Sequence, residues 1–155
     1  MENIRFDEVE KLKSKVGAEF GPWSKPIEVT QEKINRFADV TGDHQWIHID
    51  IERSKRESPF GGPVAHGFLT LSLLPAFEFN NGWTVSGYRN VVNYGANKLR
   101  FISPVLAGSS VHARQRIVAV EARPQGTQVV QETQVQVVGA DKPALIYEGI
   151  FLYVK

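Results

Sequence analysis

Between Ala65 and Asn80 the chain sets Phe68, Leu69, Leu71, Leu73, Leu74, Ala76, Phe77 and Phe79 so that no polar face remains. A helix that is apolar on every side is stable in water only when other structure surrounds it. The remainder of the chain offers that surround. From about residue 84 to 154 it reads as strands: Val129, Gln131, Thr133, Val135 and Val137 alternate with Val130, Glu132, Gln134 and Gln136, a period of two. Gly126 and Gly139-Ala140-Asp141 mark turns between them. The expected architecture is α+β: helices first, one buried helix over 65–80, then an antiparallel sheet that wraps it. Pro75 is expected to kink that helix or end its regular part.

Bulk properties leave this picture intact. With 155 residues, 42% hydrophobic and 23% charged, the chain can bury a real core, and we expect a single domain over 1–155. A formal net charge of +1 gives no broad electrostatic case for nucleic acid or for an anionic membrane. The absence of cysteine excludes disulfides, thiolate zinc sites and a cysteine nucleophile. The residues from Met1 to Glu8 lack the apolar stretch of a signal peptide, and no run is long enough to span a bilayer, so a soluble cytoplasmic protein is expected.

The first half reads as follows. Phe6, Val9, Leu12 and Val16 suggest a short amphipathic helix over 6–16, ended by Gly17, Gly21 and Pro22. Ile27–Val29 reads as a short strand. Thr30 is a good N-cap for a helix over 31–41, and Gly42 fits the position just past its end, where φ is often positive. Asp43 and His48 then fall in an irregular segment beyond a rigid element. Residues 50–63 read as a loop or irregular helix rich in charge, then in Pro and Gly.

Two stretches carry chemistry. Thr41-Gly42-Asp43-His44-Gln45-Trp46-Ile47-His48 sets a carboxylate and an imidazole five residues apart beside bulky apolar groups. Such a pair can hold a water between a base and an acid near neutral pH. Pro63-Val64-Ala65-His66-Gly67-Phe68 opens the apolar run. At the first turn of a helix, the N–H of Gly67 lacks an intrahelical partner and can face a developing oxyanion. Blander roles fit the same residues: an Asp after a helix often only orders a turn, His48 can be a packed loop histidine, and Gly67 can serve close packing alone. His66 is expected to cap or pack at the helix start.

These stretches, followed by Asn93-Tyr94-Gly95-Ala96-Asn97-Lys98-Leu99-Arg100-Phe101 and then Pro104-Val105 and Gly108, resemble the MaoC-like dehydratases. That single-hotdog group includes (R)-specific enoyl-CoA hydratases and nodulation protein N-like proteins. The resemblance implies a hotdog fold, a long central helix wrapped by a curved antiparallel sheet, in a homodimer. It implies reversible hydration of a trans-2-enoyl thioester to an (R)-3-hydroxyacyl thioester, carried on coenzyme A or an acyl carrier protein. No cofactor is implied beyond the coenzyme A of the substrate. Asp43 and His48 would hold the reacting water, and the Gly67 N–H would hold the thioester oxygen. Many relatives have Asn where this chain has Gln45, a supporting amide one methylene longer.

Lys98 and Arg100 lie two apart on a strand, hence on one face, and are candidates for the phosphates of coenzyme A. Asn97 and Tyr94 are candidates either to fix the strand or to touch the ligand. Arg53, Lys55 and Arg56 read better as a solvated charged face. Three other readings fit parts of the pattern. A hotdog thioesterase would aim water at the thioester carbonyl. A non-catalytic acyl-binding subunit would keep the fold and lose turnover. A metal site from Asp43, His44, His48 and Asp50 is the weakest, since His44-Gln-Trp-Ile-His48 lacks the zincin Glu and Gly42 argues against a helix there. No metal is therefore expected.

Overall fold

The computed structural model describes residues 1–155. Its elements are β1 (Glu2–Arg5), α1 (Val9–Lys13), β2 (Ile27–Glu28), α2 (Gln31–Thr41), α3 (Trp46–Ile49), α4 (Ile51–Glu57), α5 (Gly67–Ser72), β3 (Trp83–Ser86), β4 (Asn90–Phe101), β5 (Ser110–Arg123), β6 (Gly126–Val137) and β7 (Leu145–Val154). The main sheet has the order β2-β5-β6-β7-β4, with every neighbouring pair antiparallel. The alternation seen in the sequence of β6 holds in its second half: Thr133 and Val135 are buried between partly exposed neighbours. Ladder irregularities at Ile117/Ala119 in β5, and at Asn93/Gly95 and Ala96/Lys98 in β4, bend these long strands.

One core cluster joins Val29 and Ile34 from the first half, Ala65, Leu69 and Phe77 from the middle, and Val111, Ala113, Val135 and Leu145 from the sheet. A second, smaller cluster packs Ile4 and Leu12 on Ile117, Val120 and Val129. It corrects the sequence reading of the N-terminus. Residues 2–5 form a strand that pairs in parallel with β3, and the helix is shorter than expected, Val9–Lys13. Phe6 lies before that helix, buried, with its N–H on the Ser86 carbonyl. The segment 50–57 is largely a regular helix, and His48 sits in a single helical turn rather than in irregular chain.

The middle of the chain differs most. The helical run expected over 65–80 is α5, six residues long, followed by a 3-10 turn at Leu74–Ala76. Pro75 has no N–H to continue an α-helix, and the run ends one turn before it. Nor is α5 surrounded on all sides: Leu69 and Thr70 are buried, but Phe68 is 61% exposed, its ring packed edge-on to Phe101 of β4. β4 is an edge strand and is exposed along nearly its whole length, with Val91, Val92, Tyr94 and Phe101 among its open residues.

Helix α2 matches expectation at both ends. The Thr30 hydroxyl accepts the Lys33 N–H, and Gly42 closes the helix at φ 79° with its own N–H on the Ala38 carbonyl. An added Cβ at Gly42 would meet nothing within 4 Å, so only backbone strain opposes a side chain there. Gly42→Ala should therefore lose about 1 kcal/mol of stability in chemical denaturation. A variant as stable as the parent would show that the left-handed turn is not needed to place Asp43.

Candidate functional site

Asp43 stands on the loop that leaves α2. Its N–H reaches the Thr41 hydroxyl at 3.3 Å, and its Oδ1 accepts the Gln45 N–H at 3.3 Å. The carboxylate stays about half exposed. The contact of Gln45 with Asp43 is made by its main chain.

His48 follows one helical turn later and is 7% exposed. Its Nδ1 lies 2.6 Å from the Val64 carbonyl oxygen. A carbonyl only accepts, so Nδ1 carries the proton and Nε2 offers the free lone pair. The same Val64 donates its N–H to the Ile47 carbonyl at 3.0 Å, and Gln31 donates to the His48 carbonyl at 2.7 Å. Ring and backbone of His48 are both fixed.

A third side chain joins these two. His66 is 4% exposed, and its Nε2 donates to the Asp43 main-chain carbonyl at 2.9 Å. Its ring stacks on His48 with centroids 3.8 Å apart and an interplanar angle of 25°. One polar side-chain atom from each of Asp43, His48 and His66 lies within 4.8 Å of the others. Two hydrogen bonds of about 2.8 Å, meeting at a tetrahedral angle, separate their far ends by about 4.6 Å. A ceiling of 4.8 Å between Asp43 and His48 is within the span of one such bridge. These three side chains are also the group that could take a metal, although an ion on His66 Nε2 would have to displace its bond to Asp43.

Burial lowers the His48 pKa below the ordinary histidine value, with the nearby His66 acting in the same direction; the Val64 carbonyl and Asp43 act against it. The imidazole is thereby kept neutral, with Nε2 available as an acceptor.

Gly67 is the first residue of α5, as expected, and its N–H makes no main-chain hydrogen bond. It lines a cavity of about 310 Å³ whose walls are mostly apolar, among them Ile47, Phe60, Val64, Phe101 and Leu145. Asp43 and His48 are not in those walls; Ile47 and Val64, which border or hold His48, are. With only six residues in α5, the local N–H matters more than any macrodipole.

The other candidates are placed elsewhere. Asn97 donates to Glu148 at 2.8 Å across the strand pair, a strand-fixing contact. Lys98 and Arg100 do share one face of β4, but neither lines the cavity, and Arg100 bonds to the Leu99 carbonyl. Arg53, Lys55 and Arg56 pair with Glu52 and Glu57 on the exposed side of α4. Of the weaker metal set, His44 binds Asp39 at 2.9 Å, and Asp50 caps α4 through the Arg53 N–H. Neither joins Asp43 and His48. The residue that sequence reasoning underrated is His66. It occupies the N-cap position of α5 without making a side-chain cap bond, and reaches back 23 residues to Asp43 instead.

The sheet topology and the relatives of the chain together place it among the hotdog-fold hydro-lyases. The chain belongs to the MaoC-like domain family, whose model matches residues 13–139. It is 46% identical over 150 residues to 3-hydroxyacyl-thioester dehydratase Z of Mycobacterium tuberculosis, covering 96% of this chain and 97% of that protein. It is 48% identical over 114 residues to nodulation protein N of Rhizobium meliloti, covering 74% of this chain and 68% of that one. In fold it is similar to the R-hydratase PhaJ1 of Pseudomonas aeruginosa, with a TM-score of 0.67 at 23% identity over 89% of this chain and 83% of that chain. No helix is long and apolar enough to cross a membrane.

The direction of the His48 shift carries a stability consequence. Below the ordinary histidine pKa, the unfolded chain binds a proton that folded His48 resists, so stability falls as pH drops through that range. His48→Gln should remove that part of the acid sensitivity in urea titrations at several pH values. A His48 ring resonance titrating at or above the ordinary histidine value would contradict this account.

Proposed function

We propose that the protein catalyses reversible addition of water to a trans-2-enoyl-CoA, giving an (R)-3-hydroxyacyl-CoA. The observation that carries this reading is the spacing of Asp43 and His48, which suits one bridging water beside a cavity that Gly67 helps to line. Both groups are acceptors toward that water, the carboxylate through oxygen and His48 through its unprotonated Nε2. A water that donates both hydrogens to them turns its lone pairs outward, toward C3 of a bound enoyl chain. As the C3–O bond forms, one water proton passes to the pair and charge moves to the thioester oxygen. The Gly67 N–H stabilises that enolate oxygen, a contribution typically worth about 3 kcal/mol. The proton then returns to C2. Electrons balance without a redox partner, so the reaction requires no cofactor beyond the coenzyme A of the substrate.

The thioester class follows the dehydratase of Mycobacterium tuberculosis at 46% identity, and the R configuration follows the likeness to R-hydratases. The cavity walls suit an acyl chain. Lys98 and Arg100 sit on β4 beyond the wall residue Phe101, roughly 10 and 3 Å along the strand. We infer that they meet the phosphates at the far end of a coenzyme A arm or of an acyl carrier protein's prosthetic group, with Asn97 holding the strand. The exposed apolar edge of β4, with Phe68 beside it, is a surface that a monomer rarely leaves open. We infer a homodimer joined there, and light scattering after gel filtration should give twice the chain mass.

With crotonyl-CoA and longer enoyl-CoAs, loss of enoyl-thioester absorbance should report hydration, and chiral analysis of the product should return the R alcohol. Asp43→Asn and His48→Gln should each lower kcat by roughly 10²- to 10⁴-fold while the fold persists. Full activity in either variant would remove the mechanism. Release of free thiol without hydration would replace it with thioester hydrolysis.

A further inference from the structure

We propose that His66 is a positioning residue: its Nε2–H holds the Asp43 main-chain carbonyl while its ring backs the His48 imidazole, keeping the two at a separation one water can bridge. The inference rests on the reading above that Asp43 and His48 share that water.

Three observations carry it. First, the other bonds that shape the Asp43 loop are all local: Asp43 N–H to the Thr41 hydroxyl at 3.3 Å, Gln45 N–H to Asp43 Oδ1 at 3.3 Å, His44 N–H to the Gly42 carbonyl at 3.2 Å, and His44 Nε2 to Asp39 at 2.9 Å. The His66 bond, at 2.9 Å, ties the Asp43 main chain to a different element, the start of α5. Second, the acceptor is a carbonyl, so His66 must carry its proton on Nε2. Its Nδ1 is then a bare acceptor, and it is buried without any partner. A buried polar atom left unpaired is costly, and a residue kept for packing alone would be better as Phe or Leu. What His66 does that those cannot is donate to Asp43. Third, the ring is wedged between Phe37, with centroids 5.0 Å apart, and His48 at 3.8 Å. It therefore sets the place of the His48 ring as well as of the Asp43 loop. With Nδ1 buried and Nε2 engaged, His66 is not placed to exchange a proton with substrate, which separates it from His48.

The test compares wild type, His66→Phe and His66→Gln with crotonyl-CoA. Phe keeps a ring against Phe37 and His48 but removes the donor; Gln puts an amide N–H near the position of Nε2. His66→Phe should lower kcat roughly 10- to 100-fold with KM changed less than about threefold, because a small misplacement of reacting groups has that scale of effect. His66→Gln should recover most of the loss. Amide exchange over residues 42–45 should quicken in His66→Phe and return toward wild type in His66→Gln. Long-range ¹⁵N spectra of the wild type should show the Nε2–H form of His66 and the Nδ1–H form of His48. The proposal is overturned if His66→Phe keeps kcat within about threefold, if Gln is as impaired as Phe, or if His66 is the Nδ1–H form. Should wild type hydrate no enoyl-CoA, the hydratase reading fails by itself. Amide exchange then decides whether His66 tethers the loop, and unchanged exchange in His66→Phe overturns that too. If His66→Phe does not fold, kcat of His66→Gln against wild type and the wild-type ring spectra still decide the question.

Discussion

Val64 holds the site together through its main chain. Its carbonyl takes the Nδ1–H of His48 and its N–H goes to the carbonyl of Ile47, so one peptide on each side of Cα grips the α3 turn. The residues around it are anchored in turn: the Ala65 N–H bonds to the Val105 carbonyl, and the Ala107 N–H to that of Pro63. This short extended piece is thus stitched between the loop that carries the carboxylate–imidazole pair and the chain leading into β5. His66 and Gly67 follow directly, so the Asp43 tether and the free N–H on the cavity wall are placed by the same few peptides. Loosening that piece would disturb every component at once.

The electrostatics depend on the same packing. Taking His48 out of water favours its neutral form, and the carbonyl of Val64 selects which nitrogen keeps the proton. Desolvation and one hydrogen bond together leave Nε2 with a free lone pair. Asp43 differs in being about half exposed, which leaves room for solvent to reach the pair.

Local signals were read correctly at both ends of α2 and in part of β6. Thr30 and Gly42 bound α2 because a cap hydroxyl and a left-handed glycine act within four residues. Period-two patterning over 129–137 pointed to β6, where Thr133 and Val135 answer to the buried face. Signals failed where partners lie far along the chain. The pairing of β1 with β3 joins segments about 80 residues apart, and nothing in residues 2–5 announces it. Hydrophobicity from 65 to 80 overstated the helix, since an apolar side chain can be buried from an α-helix, a 3-10 turn or extended chain alike; Pro75 was the better guide. In the site, Asp43, His48 and Gly67 were singled out by their types and spacing, and the structure brings Asp43 and His48 within 4.8 Å and puts Gly67 on a cavity wall. His66 was not, because its role is a bond to a carbonyl 23 residues earlier, and any carbonyl looks the same in a sequence.

Gly67 shows how two demands can fall on one residue. A Cβ built there would lie 2.8 Å from the Cδ1 and Cε1 of Phe101, too close for the ring as it stands. Packing alone therefore favours glycine, as the plainer reading of the sequence held. Yet Phe101 is itself 47% exposed and lines the same cavity, so the ring that forbids a side chain on Gly67 also forms the wall opposite its backbone. Ring and main chain are in packing contact there, with no room between them for even one added carbon. Close packing on Phe101 and a main chain that reaches the cavity wall are, at this position, the same geometric requirement. Without a Cβ, Gly67 packs against the ring and still leaves its main chain in the cavity wall.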